Sequence, residues 1–185
     1  MRAAVFALAL LAHASIAAAV EDDERPSPFE ERPTAMFLHA GIGAPLGFGG
    51  VEVEHAVLPV WTLSSGVGLG AASLQAAAMT RLRLGGDWSR AEIGAGVSYG
   101  KHVWQDLCGD EICAQKGGTV ARANFEIGAT HRWPSGFSMR YFVGYGRVVA
   151  GDFSCEEPAV DACLANHPND GRELLYTGFG VGGSF

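Results

Sequence analysis

The chain has 185 residues, room for one domain, and carries 48% hydrophobic but only 18% charged residues, below the charged share of about 25% usual in soluble proteins. Its net charge of −7 excludes nucleic acid as a natural partner, and its 26 glycines follow no triplet period, which excludes collagen. Lysine occurs only at Lys101 and Lys116, so the charged coat of an ordinary soluble domain is missing.

Residues 1–19 read as a secretory signal: Arg2 opens it, Ala3 to Ala12 forms a short apolar run, and Ala17 and Ala19 supply small residues at the cleavage positions. The run is too short to cross about 30 Å of hydrocarbon, and no later segment offers about 18 consecutive apolar residues. Residues 20–33 are acidic and proline-rich (Glu21, Asp22, Asp23, Glu24, Pro26, Pro28, Glu30, Glu31, Pro33) and are expected to form a flexible leader.

Residues 34–185 form the folded domain, and there a period of two takes over. Thr34 to Gly43 opens the series of strands. Phe48 to Val57 sets Val51, Val53 and Val57 against Glu52 and Glu54. Trp61 to Gly70 alternates Trp61, Leu63, Val67 and Leu69 with Thr62, Ser64, Gly66 and Gly68. Leu74 to Leu84 places Arg81 and Arg83 opposite Leu82 and Leu84. Arg90 to Tyr99 sets Ala91, Ile93, Ala95, Val97 and Tyr99 against Arg90, Glu92, Gly94, Gly96 and Ser98. The clearest run, Val120 to Trp133, puts Phe125, Ile127 and Trp133 on one face, and Arg122, Asn124, Glu126 and Arg132 on the other. Phe137 to Tyr145 and Glu173 to Phe185 complete eight strands. Successive side chains of a strand point to opposite faces, so each strand has one apolar and one polar side.

The connections differ between the two ends. Leu58-Pro59, Gly86-Asp87-Trp88 and Pro134-Ser135-Gly136 are tight turns. At the other end, the connections near 44–47 and 71–73 are short, whereas Gln105 to Gly118 and Gly151 to Arg172 read as long loops. Aromatic residues gather at strand ends: Trp61, Trp88, Trp133 and Phe137 near the tight turns, Tyr99 and Trp104 near the long loops. Short turns at one end, longer loops at the other and aromatic girdles between are the marks of an outer-membrane barrel. The polar face is mostly glycine and serine with Arg and Glu, which suits a crowded narrow interior.

The last strand is amphipathic and ends on Phe185, with Phe179 and Val181 on the same face. It resembles the terminal signal of outer-membrane barrels that the barrel-assembly machinery reads. Over Thr34 to Phe185 the chain resembles the small OmpA/OmpX/OmpW-like barrels. Gly183 and Thr177 stand where that pattern usually carries bulkier apolar residues. The expected fold is an all-β, eight-stranded antiparallel up-and-down transmembrane β-barrel. Its expected surroundings are outer-membrane lipid, and the assembly machinery is its expected partner.

On this register Glu52, Glu54, Glu92 and Glu126 point inward with Arg81, Arg83, Arg90, Arg122 and Arg140. Their signs nearly balance, and ion pairs among them are expected to fill the lumen. Cys108 and Cys113 lie in one long loop, Cys155 and Cys163 in the other. An exported location favours disulfides, with pairing open among three arrangements. The rival zinc reading rests on Cys163 with His167. Acidic residues in the same loops, among them Asp106, Asp110, Glu156 and Asp170, make a surface ligand there conceivable.

Nothing points to catalysis or a cofactor. Gly94-Ala95-Gly96 and Gly66-Val67-Gly68 precede no helix that would hold a phosphate. There is no nucleophile elbow. His39, His55, His102 and His131 fall on different strands, and His102 has no evident serine partner. The sequence therefore points to a non-enzymatic barrel with a structural or surface-interaction role. Three other readings remain: a narrow channel for small or apolar solutes, supported by inward Met79 and Phe142; a lipid A-modifying barrel enzyme; and a soluble lipocalin-like binder with the faces reversed.

Overall fold

A computed structural model describes residues 27–70, 73–108, 111–151, 154–155 and 173–185; for 103–116 and 154–155 it describes the backbone alone. Eight long strands run antiparallel: β1 Thr34–Ile42, β2 Gly49–Leu58, β3 Trp61–Leu69, β4 Leu74–Gly85, β5 Ser89–Cys108, β6 Glu111–Arg132, β7 Phe137–Ala150 and β8 Glu173–Ser184. Each pairs with its neighbour in sequence, and β1 pairs with β8 from Ala35↔Ser184 to Ile42↔Thr177. The sheet is thus closed into an up-and-down barrel with no free edge, as the strand pattern predicts. Thr34 and Phe185 exchange backbone hydrogen bonds where the seam ends.

The apolar side faces out. Leu38, Leu82, Ile93, Val97, Phe125 and Phe179 are exposed, while Glu54, Arg83, Arg132 and Arg140 are buried inside. A lipocalin-like barrel needs the reverse, so the soluble reading is excluded by the orientation of every strand. At the tight-turn end the outer wall carries Trp61, Trp88, Trp133 and Phe137, and the Trp133 ring contacts those of His131 and Phe137. The side chain of Trp104 lies outside the described residues.

Glycine makes the narrow interior possible. On the inward face of β8, a Cβ at Gly180 would sit 3.1 Å from the His39 ring, and one at Gly178 would meet Phe142 at 2.5 Å. The large side chains of β1 and β7 therefore occupy space that β8 leaves empty.

Two segments differ from the sequence reading. The expected long loop Gln105 to Gly118 is instead a hairpin: β5 and β6 stay paired out to Cys108↔Glu111. Lys101 to Cys108 contains no glycine or proline, so nothing breaks the ladder beyond Tyr99. The loop after β7 returns to this hairpin, with Ser154–Cys155 paired to Lys116 and Gly117. The second difference is the leader. Residues 27–33 are not free: Pro28–Glu31 form one helical turn, α1, and Pro28 and Phe29 with the preceding Ser27 are buried in the tight-turn end of the barrel. The acids Glu30 and Glu31 stay exposed. A single aromatic residue among the acids supplies an apolar anchor that composition averages away.

Candidate functional site: the barrel interior

The interior is built in tiers. At the tight-turn end, the Phe29 ring lies beneath three guanidiniums, with the Arg90 and Arg132 carbons each 4.5 Å and that of Arg83 5.4 Å from its centre. The negative face of an aromatic ring attracts such cations. Arg90 also donates to the carbonyls of Pro59 and Gly86 and to Ser27 Oγ, and Arg132 donates to the Arg32 carbonyl at 2.7 Å. The N-terminal segment is thus held by the barrel's own arginines.

Above it lies an ion-pair lattice contributed by strands β1, β2, β4, β5, β6 and β7. Arg81 reaches Glu52 at 2.6 Å and Glu126 at 2.5 Å, and donates to Ser64 Oγ. Arg83 joins Glu54 at 2.5 Å and Glu92 at 2.6 Å. Arg140 spans three carboxylates: Glu52 at 2.9 Å, Glu54 at 3.0 Å and Glu92 at 3.5 Å. His39 Nε2 lies 3.0 Å from Glu52, and Arg132 lies 3.6 Å from Glu54. Thr130 Oγ1 donates to Glu92 at 2.7 Å, and Arg140 also stacks on Phe37. The lattice therefore joins the four carboxylates to Arg81, Arg83, Arg132 and Arg140, a balance that offsets the high cost of burying each charge alone.

The third tier is mainly apolar. The β1–β2 turn folds into the lumen, where Ala44 packs with Phe142 and Tyr176. Left-handed Gly43 and Gly47 give the turn its course. Tyr176 donates to the Phe125 carbonyl, and Asn124 to Ser98 Oγ. Between this tier and the lattice, a cavity of about 20 Å³ remains, room for roughly one water. Met79 and Phe142 line that cavity and are themselves buried.

Seven of the nine inward charges named from the sequence meet in the lattice: Glu52, Glu54, Arg81, Arg83, Glu92, Glu126 and Arg140. The other two stand apart. Arg90 is at the Phe29 end, and Arg122 lies beyond the apolar tier beside Gln75 and His102. His39 and Arg132 belong to the lattice and were not in the named set. The side chains of Cys108, Cys113, Cys155 and Cys163 lie outside the described residues. On β8, Phe179 and Phe185 are exposed on the outer wall and Val181 is half-buried there.

No family model matches the chain, and no curated protein matches it. Two solved structures are similar. The N-terminal β-barrel domain of Pseudomonas aeruginosa OprF aligns with a TM-score of 0.52 at 13% identity, covering 82% of this chain and 96% of that one. Acinetobacter baumannii CarO aligns with a TM-score of 0.49 at 12% identity, covering 89% and 100%. At such identity the likeness to OprF speaks for the fold, an eight-stranded barrel of the outer-membrane type.

Proposed function

We propose that this chain is exported and sits in the outer membrane as a closed barrel, with a structural or surface-contact role and no catalysis. The observation that supports this reading is the packing of side chains inside the barrel. An eight-stranded barrel has an interior that side chains just fill, and here an aromatic plug, an ion-pair lattice and an apolar tier follow one another along the axis. An apolar outer wall with an aromatic end girdle supports residence in lipid. Phe179, Val181 and Phe185 on the closing strand are the residues we assign to recognition by the barrel-assembly machinery. The hairpin and loop at the opposite end are the surface offered outward.

The test is direct. In a planar bilayer the purified chain gives no steady conductance, and in cells it fractionates with the outer membrane and migrates differently on a detergent gel before and after boiling. A large steady conductance would overturn the closed lumen. Recovery as a soluble periplasmic protein would overturn the membrane location.

A further inference from the structure

The outward end of the barrel holds a second cavity, of about 280 Å³, beyond the apolar tier. Ala44 and Leu174 line its apolar side, and Ile42 and Phe48, both exposed, stand at its margin. Gln75, His102 and Arg122, from adjacent strands β4, β5 and β6, form its polar wall. Gln75 is 4% and Arg122 6% exposed.

Arg81, Arg83, Arg132 and Arg140 each have a carboxylate nearby, but among the described residues none pairs with Arg122. Among the described residues, Arg122 Nε, Gln75 Oε1 and His102 Nε2 are all buried without a hydrogen-bond partner. The one bond within the group runs from Gln75 Nε2 to His102 Nδ1, at 3.4 Å. With Nδ1 accepting, the neutral ring carries its hydrogen on Nε2. The cavity therefore presents donors from Arg122 and His102, one acceptor at Gln75 Oε1, and an apolar wall. A buried cation and two unsatisfied neutral groups at one place are costly to a fold. Converging unpaired polar groups in a partly apolar pocket are the usual form of a ligand site.

We propose that this cavity binds a small α-hydroxy carboxylate with a compact apolar tail. The carboxylate accepts from Arg122 and His102, the hydroxyl donates to Gln75 Oε1, and the tail lies on Ala44 and Leu174. An α-ammonium in place of the hydroxyl is disfavoured by the guanidinium beside it. The volume is just below the range of about 300–1,000 Å³ typical of ligand pockets, which limits the ligand to metabolite size. The site stands whether or not the lumen conducts.

The probe is mandelate, titrated calorimetrically into the full chain extracted in detergent from the membranes of expressing cells. Mandelamide, which lacks the carboxylate charge, and phenylacetate, which lacks the hydroxyl, are the controls. We expect saturable one-site binding of mandelate at concentrations up to about 10 mM, with each control weaker by about tenfold or more. Arg122→Gln reduces mandelate affinity by the same factor or more. Gln75→Leu erases the preference for mandelate over phenylacetate. A second measurement separates ligand binding from a fold role: without ligand, Arg122→Gln leaves the urea midpoint of the barrel unchanged or raises it. Absence of saturable mandelate binding, undiminished binding by Arg122→Gln, or a lowered midpoint in that variant overturns the proposal.

Discussion

Glu54 carries more of the interior than any other single side chain. It is fully buried, and its two oxygens face Arg83, Arg140, Arg81 and Arg132, the last two at 3.7 and 3.6 Å. Glu54→Gln keeps the shape but removes the charge, leaving those guanidiniums under-compensated in a buried site. Breaking a buried pair from one side costs about 3–5 kcal/mol, and we expect that loss in the urea unfolding of the detergent-solubilised barrel. Adding Arg132→Met to Glu54→Gln removes one excess cation and should restore part of the midpoint. An unchanged midpoint for Glu54→Gln would mean that the lattice is hydrated and weak. The sequence told which face each of these charges occupies, because parity along a strand is enough for that. Height along the axis depends on register and shear between strands, and parity is silent there. Hence Arg90 and Arg122 share a face with Arg81 yet meet different partners. Likewise His39, with no carboxylate near it on β1, is brought to Glu52 on the neighbouring β2 by the β1–β2 ladder, in which Phe37 opposes Glu52.

Among the elements, α1 was the least legible. Its neighbours in sequence are acids and prolines, and a composition-based reading assigns the whole stretch to a flexible leader. What holds it is a match between Phe29 and three arginines from β4, β5 and β6, which only the closed barrel brings together. The strands themselves were readable almost to the residue, since Gly or Pro marks most of their turns. The hairpin beyond Tyr99 was underestimated, and so was the end of β7, which runs past Tyr145 to Ala150. If Phe29 is the anchor, Phe29→Ala should undock α1 and leave the barrel intact. Each cation–π contact contributes about 0.5–2 kcal/mol, and loss of the buried ring adds to that. Endoproteinase Glu-C, which cleaves after glutamate, should then cut after Glu30 and Glu31 about tenfold faster or more, read as loss of a short N-terminal fragment by mass. Trypsin is unsuitable here because Arg25 and Arg32 both precede proline. Equal cleavage of variant and parent would show that Phe29 does not hold the segment.

At the scale of the whole molecule, closure is the decisive event, and it depends on how little β8 projects inward. A barrel of eight strands has a fixed small radius, so bulk added on one inner wall must displace bulk on another. Gly182 faces Phe37 across the β1–β8 seam, and a Cβ there would strike the Met36 carbonyl and come within 2.9 Å of Phe37 Cα. These are backbone atoms of the partner strand, which cannot rotate away. The next residue, Gly183, is exposed on the outer wall, and a Cβ there meets nothing within 4 Å. The two positions therefore separate the demands of the interior from those of lipid. Gly182→Val should prevent the seam from zipping, at a cost at or above the usual 1–3 kcal/mol of overpacking, and most of the chain should lose the band that shifts on boiling. Gly183→Val should retain that band in full, because an apolar outward residue suits the lipid-facing wall. Loss of the shift in both variants would mean that the end of β8 tolerates no side chain for reasons other than packing. Retention in both would mean that the seam is wider in the membrane than the β1–β8 register implies.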